Sequence, residues 1–342
     1  MIAVTGGGTG GHLSIARALG AELRARGEET IFIGSTSGQD RAWFEGSGEF
    51  KFEYFLPSGG VVNKHGFAKL ASLINIAKLS FRAREIFARH GVHTVISVGG
   101  YSSAPASFAA LATGRRLFIH EQNAATGRLN ALLKPFASGF FSSYQSPNWD
   151  YPVNEEFFAF ARERNNLKTI LFLGGSQGAS FINDLALALA PSLAERGVSI
   201  IHQCGERDLE RVKTAYSNLN IPARVFAFSK EIAKLMSEAD LCVSRAGAST
   251  LWELCANRLP TVFIPYPFAA GNHQYFNAEF LMKKGLARIF AQSEINLNSN
   301  LNEIKSAIFD SNLNEISREL AAQVKRGGAA KIIDEIMKKP QK

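Results

Sequence analysis

Residues 1–12 read MIAVTGGGTGGH and residues 169–179 read TILFLGGSQGA. Each is a short apolar run that stops at glycines. A helical apolar pattern follows each one: Leu13, Ala16, Leu19 and Leu23 after the first, and the stretch from Ala179 to about Glu195 after the second. A buried strand that runs into a glycine turn and then a helix opens a βαβ unit, and strands alternating with helices imply a parallel sheet covered on both faces. The chain makes this opening twice, which predicts two α/β halves.

The pattern extends in both directions. Thr30–Ile33, Val95–Val98 and Leu117–Ile119 read as further strands of the first half. Ser199–Gln203, Val225–Phe226, Leu241–Ser244 and Thr261–Ile264 read as strands of the second. Ser146–Asn166 holds two prolines and a charged cluster, so the boundary is placed near Asn154. Ser293–Asn302 is Asn-rich and reads as a loop. A length of 342 residues suits two domains. In two such domains the default active site is the cleft between them, where loops leave the C-terminal strand ends.

Composition limits the function classes. With 46% hydrophobic and 20% charged residues the chain is globular rather than disordered. Lys plus Arg total 38 and Asp plus Glu total 30, a net charge of +8 that favours anionic partners without choosing among them. Nucleic acid is disfavoured, because the motif loops are neutral and lack interleaved basic and aromatic residues. Cys204, Cys242 and Cys255 have no zinc-ligand spacing and read as buried thiols. No signal peptide and no spanning apolar run are visible, so a cytoplasmic chain that does not cross a membrane is expected.

Three glycine loops narrow the chemistry. Gly6-x-Gly8-x-x-Gly11 matches the dinucleotide fingerprint, but the second strand ends Phe32-Ile33-Gly34-Ser35, without the acid that holds a ribose. His12 stands where an ATPase loop carries lysine. What remains is a helix N-terminus suited to an anion, with an imidazole at its mouth. Gly99-Gly100-Tyr101 and Gly174-Gly175-Ser176-Gln177-Gly178 repeat the arrangement. Two polar segments join them. His120-Glu121-Gln122-Asn123 follows a strand and is costly to bury without partners. Ser244–Glu253 follows another strand and reads as a helix capped by Ser249 or Thr250 with Glu253 in its first turn. Glu253 is then either half of a capping box or the acceptor of a ribose diol.

The segments GGTGGH, GGYSSAP, HEQNAATGRLN, GGSQGA, SRAGASTLWE and PYPFAAGNHQYFNA occur in that order. Together they resemble the MurG family. These enzymes, similar to glycosyltransferase family 28, are UDP-N-acetylglucosamine:undecaprenyl-pyrophosphoryl-MurNAc-pentapeptide N-acetylglucosaminyltransferases of peptidoglycan synthesis. The resemblance spans residue 3 to about 290. It implies a GT-B fold of two Rossmann-like domains facing a cleft. Residues 1–153 would form an acceptor and membrane domain, to which a C-terminal helix within about 325–342 returns. Residues 154–324 would form the UDP-GlcNAc domain. It also implies a peripheral enzyme on the cytoplasmic face of the inner membrane, with lipid I as acceptor and a cell-wall synthesis complex as a possible partner.

The implied reaction inverts an anomeric centre, which needs a general base on the acceptor hydroxyl and stabilisation of the leaving diphosphate. His12 is the expected base and Glu121 its rival. By resemblance, Thr9, Gly10, Gly11, Tyr101 and Asn123 meet substrate from the first domain. Asn154, Ser176, Gln177 and Asn183 lie at the donor. Ser229 holds uracil, Ala248, Ser249, Thr250, Leu251 and Trp252 wrap the nucleotide, and Glu253 takes the ribose. Gln274, beside His273, reads the sugar. No DxD triplet occurs, so neither metal nor cofactor is expected, and Arg245 with helix N-termini would carry the diphosphate charge. One position departs from the family. Tyr151-Pro152-Val153-Asn154 stands where an NPVR-like element is usual, so either Arg162 or Arg164 replaces the missing arginine or diphosphate binding is weaker. For the membrane, residues 61–90 hold Lys64, Lys69, Lys78, Arg82, Arg84 and Arg89 against Glu85, with Phe67, Leu70, Leu73, Ile74, Ile76, Leu79 and Phe81 among them. That stretch is either a membrane-surface helix or a core helix.

Overall fold

The computed structural model describes residues 1–60, 66–175, 178–299 and 301–338. Ser176, Gln177 and Lys64 of the expectations above lie outside the described residues. The chain forms two compact units, one of Met1–Val153 with the chain from Gly327 onward, the other of Asn154–Arg326.

The first unit is a parallel sheet of β1 (Ile2–Thr5), β2 (Thr30–Ser35), β3 (Phe52–Leu56), β4 (Thr94–Ser97), β5 (Arg116–Glu121) and β6 (Gly139–Ser142). Its order is β3-β2-β1-β4-β5-β6. The second unit holds β7 (Thr169–Leu173), β8 (Ser199–Gln203), β9 (Ala223–Phe226), β10 (Leu241–Ser244), β11 (Thr261–Phe263) and β12 (Ala287–Ile289). Its order is β12-β11-β10-β7-β8-β9, again parallel throughout. Numbered from its own first strand, each sheet runs 3-2-1-4-5-6, the doubly wound order.

The central strands are apolar on both faces because helices cover both. Helix Gly10–Ala25 buries Leu13, Ala16, Leu19 and Leu23, an i, i+3 stripe. Gly20 in that helix admits Phe50, whose ring lies 2.8 Å from where a Cβ would stand. In the second unit, helix Ser180–Glu195 buries Ile182, Leu185, Ala186, Leu189 and Leu193 in the core beside β7 and β8. Helix Gly328–Met337 buries Ile332, Ile333 and Ile336 and packs on helix Gly10–Ala25, where Arg26 donates to Asp334 at 2.6 Å.

Three strands escape the sequence reading: β3, β6 and β12, all at sheet edges. Edge strands here are three to five residues long and partly exposed, so they carry no continuous apolar run. The strand expected at Leu117–Ile119 runs on to Glu121, so His120 and Glu121 belong to β5 rather than to the loop after it.

Candidate active site

In the first unit the loops after β1, β2 and β4 interlock through backbone. The Gly7 amide donates to the Gly99 carbonyl at 3.1 Å. A Cβ on Gly6 would lie 2.5 Å from that same oxygen, so only glycine allows the approach. Asp40, fully buried, accepts from the Gly8 amide at 2.5 Å and the Ser35 amide at 2.7 Å. Burial raises its carboxyl above the usual carboxylate range against the pull of those amides. Sequence reading missed Asp40, because it sought an acid at the end of the second strand and this one follows five residues later. Tyr101 lies over Gly8, its ring 2.6 Å from where a Cβ would stand, so it roofs the glycine loop.

This scaffold sets His12 in the first turn of helix Gly10–Ala25, whose N-cap is Thr9. The Thr9 hydroxyl makes no capping bond to the helix backbone; it shares a hydrogen bond of 3.0 Å with Nδ1 of His12. Nε2 of His12 lies 2.9 Å from the amide nitrogen of Gln122. The N-terminal end of a helix disfavours a positive charge nearby.

Glu121, the rival base, is 2% exposed and anchors its own loop. It accepts from the Asn123 amide, the Gly127 amide and Nδ2 of Asn130, each at 2.9 Å. His120 is buried against Tyr151, at 5.6 Å between ring centroids. Burial, and then the neighbouring His12, push it down to about 3.

In the second unit the loops after β7 and β10 are the sites of interest. A Cβ on Gly174 would lie 2.6 Å from the Ala179 amide nitrogen, so the turn is tight. Asn183, expected at the donor, is corrected: it is 0% exposed and its amide is spent. Nδ2 donates to Cys204 O at 3.1 Å and to Asp208 at 2.7 Å, and Oδ1 lies 3.0 Å from His202.

Helix Ala248–Ala256 is capped by Gly247 and not by Ser249 or Thr250, which lie inside its first turn. Glu253 therefore falls in the second turn, and the capping-box reading fails. Its carboxylate is half-buried and makes no hydrogen bond among the described residues. Burial, and then Glu156, raise it to about 7. The side chains of Leu251 and Trp252 face the core, Trp252 stacked on Phe280 at 5.2 Å, so only their backbone is left for a nucleotide.

Gln274 bridges two loops. Its Oε1 accepts from the Tyr266 amide at 2.9 Å and the Ala246 amide at 3.2 Å. Two N–H donors at one oxygen fix the amide orientation and leave its NH2 group to face a ligand as a donor. Arg245 was expected to carry diphosphate charge, but it is buried. Three of its five donors go to Ile264 O at 3.0 Å, Pro265 O at 3.1 Å and Gln292 Oε1 at 2.7 Å. Burial lowers it to about 10, so it stays protonated and clamps the loops after β10 and β11. The Ser229 hydroxyl accepts from the Glu231 amide at 3.0 Å, and His273 Nδ1 lies 2.9 Å from Ala270 O.

The arginines expected to stand in for the family's arginine are also corrected. Arg164 is 0% exposed and donates to the carbonyls of Arg162, Met236, Ala239 and Asn257 and to Asn257 Oδ1. Arg162 pairs with Asp240 at 2.7 Å and also donates to Ala239 O. Both fasten β10 to its surroundings and neither has a fork to offer. Asn154 is the N-cap of helix Glu155–Ala159. Among the described residues no group of three His, Cys, Asp or Glu side chains is placed to hold a metal.

Comparison with known proteins follows this geometry. Residues 2–142 match the glycosyltransferase family 28 N-terminal domain and residues 169–336 its C-terminal domain. A protein of Campylobacter fetus named UDP-N-acetylglucosamine--N-acetylmuramyl-(pentapeptide) pyrophosphoryl-undecaprenol N-acetylglucosamine transferase is 58% identical, covering 99% of this chain and 100% of its own. The protein of the same name from Wolinella succinogenes is 52% identical over 98% and 99%. The crystal structure of Acinetobacter baumannii MurG superposes with a TM-score of 0.76 at 28% identity, covering 99% of each chain. The fold is GT-B, and the chain belongs to glycosyltransferase family 28, with the MurG N-acetylglucosaminyltransferases.

Proposed function

We propose that this chain transfers GlcNAc from UDP-GlcNAc to the 4-hydroxyl of MurNAc on undecaprenyl-pyrophosphoryl-MurNAc-pentapeptide, converting lipid I to lipid II. The observation that carries the mechanism is His12, a neutral-range base at the positive end of a helix, held at both ring nitrogens. The acceptor oxygen attacks the anomeric carbon as His12 takes its proton, and the bond to the diphosphate breaks with inversion. Glu121 acts here by shaping the Glu121–Asn130 loop, not as the base.

The first unit is assigned the acceptor and the second the donor. Glu253 is a carboxylate without a hydrogen-bond partner among the described residues, which suits a ribose diol, and Gln274 presents a fixed NH2 donor to sugar oxygens. Diphosphate charge falls to the glycine turns and helix N-termini, because Arg162, Arg164 and Arg245 are committed elsewhere.

The acceptor is lipid-linked, so the first unit also needs a membrane surface. No described helix is long and apolar enough to cross a membrane. Helix Gly66–His90 buries Leu79, Ala83, Ile86 and Phe87 only in its second half. None of the residues from Gly66 to Lys78 is buried, and Phe67 is 92% exposed, with Leu70, Leu73, Ile74 and Phe81 also exposed. An apolar stripe in water, flanked by Lys69, Lys78, Arg82 and Arg84, suits an anionic bilayer. On this reading the enzyme is peripheral, at the cytoplasmic face of the inner membrane.

The test is UDP release from UDP-GlcNAc with and without a lipid I analogue. Release that depends on the analogue is expected. Equal turnover without it would assign the chain to another UDP-sugar reaction.

A further inference from the structure

Both ring nitrogens of His12 have neighbours, and the two neighbours are not alike. Nδ1 faces the Thr9 hydroxyl at 3.0 Å and Nε2 faces the Gln122 amide nitrogen at 2.9 Å. A hydroxyl donates or accepts, so Thr9 fits either imidazole tautomer; an amide nitrogen only donates. Nε2 therefore accepts from Gln122, and the single proton of the neutral ring sits on Nδ1, pointing at Thr9.

The orientation of the Gln122 amide has its own support. Gln122 is 7% exposed, and its Oε1 is buried with no hydrogen-bond partner among the described residues. Turning the amide over would put two N–H donors into that place instead of one carbonyl oxygen. Buried donors without acceptors are the rarer and costlier defect.

We propose that Gln122 is a positioning residue that holds His12 as the Nδ1–H tautomer, so that Nε2 is the nitrogen that takes the acceptor's proton. The inference rests on His12 being the base. The acceptor hydroxyl displaces the Gln122 N–H at the Nε2 lone pair. Its O–H bond breaks as Nε2–H forms, the oxygen's electron pair makes the new bond to the anomeric carbon, and the old bond's pair leaves with the diphosphate of UDP. Before the acceptor arrives, an N–H facing Nε2 competes with a proton for the same lone pair.

The ionisable groups on the elements around the imidazole are His120 and Glu121 on β5, Tyr101 after β4 and Asp40 after β2. His120 is neutral at neutral pH, Glu121 is held by donors of its own loop, and Asp40 by the amides of Gly8 and Ser35. Gln122 presents its amide N–H to Nε2 at 2.9 Å.

The experiment is NMR of the full-length unliganded enzyme with 15N-labelled histidine, using the His12→Ala spectrum to assign the signal. The wild-type ring is expected to show a proton-bearing Nδ1 and a bare Nε2. Gln122→Met keeps the length of the side chain but removes the donor. It should give a mixed or Nε2–H signal, with kcat lowered on the order of 10-fold and the KM for UDP-GlcNAc unchanged. Gln122→Glu accepts from a protonated Nε2, stabilises the imidazolium and should move the acid limb of the kcat profile upward by about one pH unit. A wild-type Nε2–H signal, or an unchanged tautomer in a folded Gln122→Met enzyme, overturns the inference. If the tautomer changes in Gln122→Met while kcat does not, Gln122 sets the tautomer as inferred, and it is the base role of His12 that fails.

Discussion

Glu253 is where the proposed ribose contact would oppose stability. Its folded pKa of about 7 lies above the ordinary 4.5, so between those two values the folded chain binds more protons than the unfolded one. Stability linked to this group is therefore full below about pH 4.5 and falls as pH rises through 7, by about 1–3 kcal/mol. Glu253→Gln removes that loss. Denaturant melts should show the variant more stable than wild type at pH 8 and nearly equal at pH 4.5, while calorimetry shows weaker UDP binding. A variant no more stable at pH 8 would mean that the carboxylate is better solvated than its burial implies. His12→Ala should lower kcat on the order of 10²–10⁴-fold with donor affinity nearly intact. Loss of donor affinity alone would make the imidazole a binding group. Residue type alone does not distinguish the two histidines: His12 stands in a helix start, whereas His120 lies in β5, where burial and then His12 push it down to about 3.

Helix Gly66–His90 changes character along its length. Its second half packs through Leu79, Ala83, Ile86 and Phe87, and its first half leaves Phe67, Leu70, Leu73 and Ile74 in water. A single amphipathic pattern in sequence thus splits into a packed half and an exposed half. Lys69→Glu with Phe67→Ser should weaken binding to vesicles rich in anionic lipid, leaving the melting temperature and the turnover of a short-chain soluble acceptor unchanged. A variant that binds vesicles normally but melts early would assign this half to the core. Edge strands show the opposite difficulty. β3, β6 and β12 are recognisable only beside their neighbours, since a few half-exposed residues have no periodicity to read.

On the scale of the whole molecule, two sheets with one strand order are built from halves that share no repeat in sequence. Each places glycine turns at the C-terminal ends of its strands, and helix N-termini there supply partial positive charge. A transferase built this way should run without a divalent ion. Turnover is expected to persist in excess EDTA. Complete loss of activity, restored by magnesium or manganese, would show that a metal carries the diphosphate charge. The second unit also spends its buried arginines on its own architecture. Arg164 binds the chain around Met236–Ala239 and at Asn257, so Arg164→Met should lower the stability of that unit rather than raise the KM for the donor alone.

The sequence by itself determined the two βα openings, the parallel sheets, the order of the motif loops and the place of His12 at a helix start. Those features follow from local chemistry: apolar runs make strands, glycines make the turns and an i, i+3 stripe makes the covering helix. Only the tertiary structure decided which polar side chains were already committed. Arg162, Arg164, Asn183 and Arg245 look free in sequence and are held in the fold, whereas Glu253 reads in sequence as a cap or a ribose ligand and has no hydrogen-bond partner among the described residues. Their partners are distant along the chain. Arg164 meets Asn257 across 93 positions, Arg245 meets Gln292 across 47, and His12 meets Gln122 across 110. No local pattern encodes a hydrogen bond of that span. It exists because each sheet gathers at one edge loops that are far apart in the chain, and the sheet is assembled chiefly by burial of apolar surface.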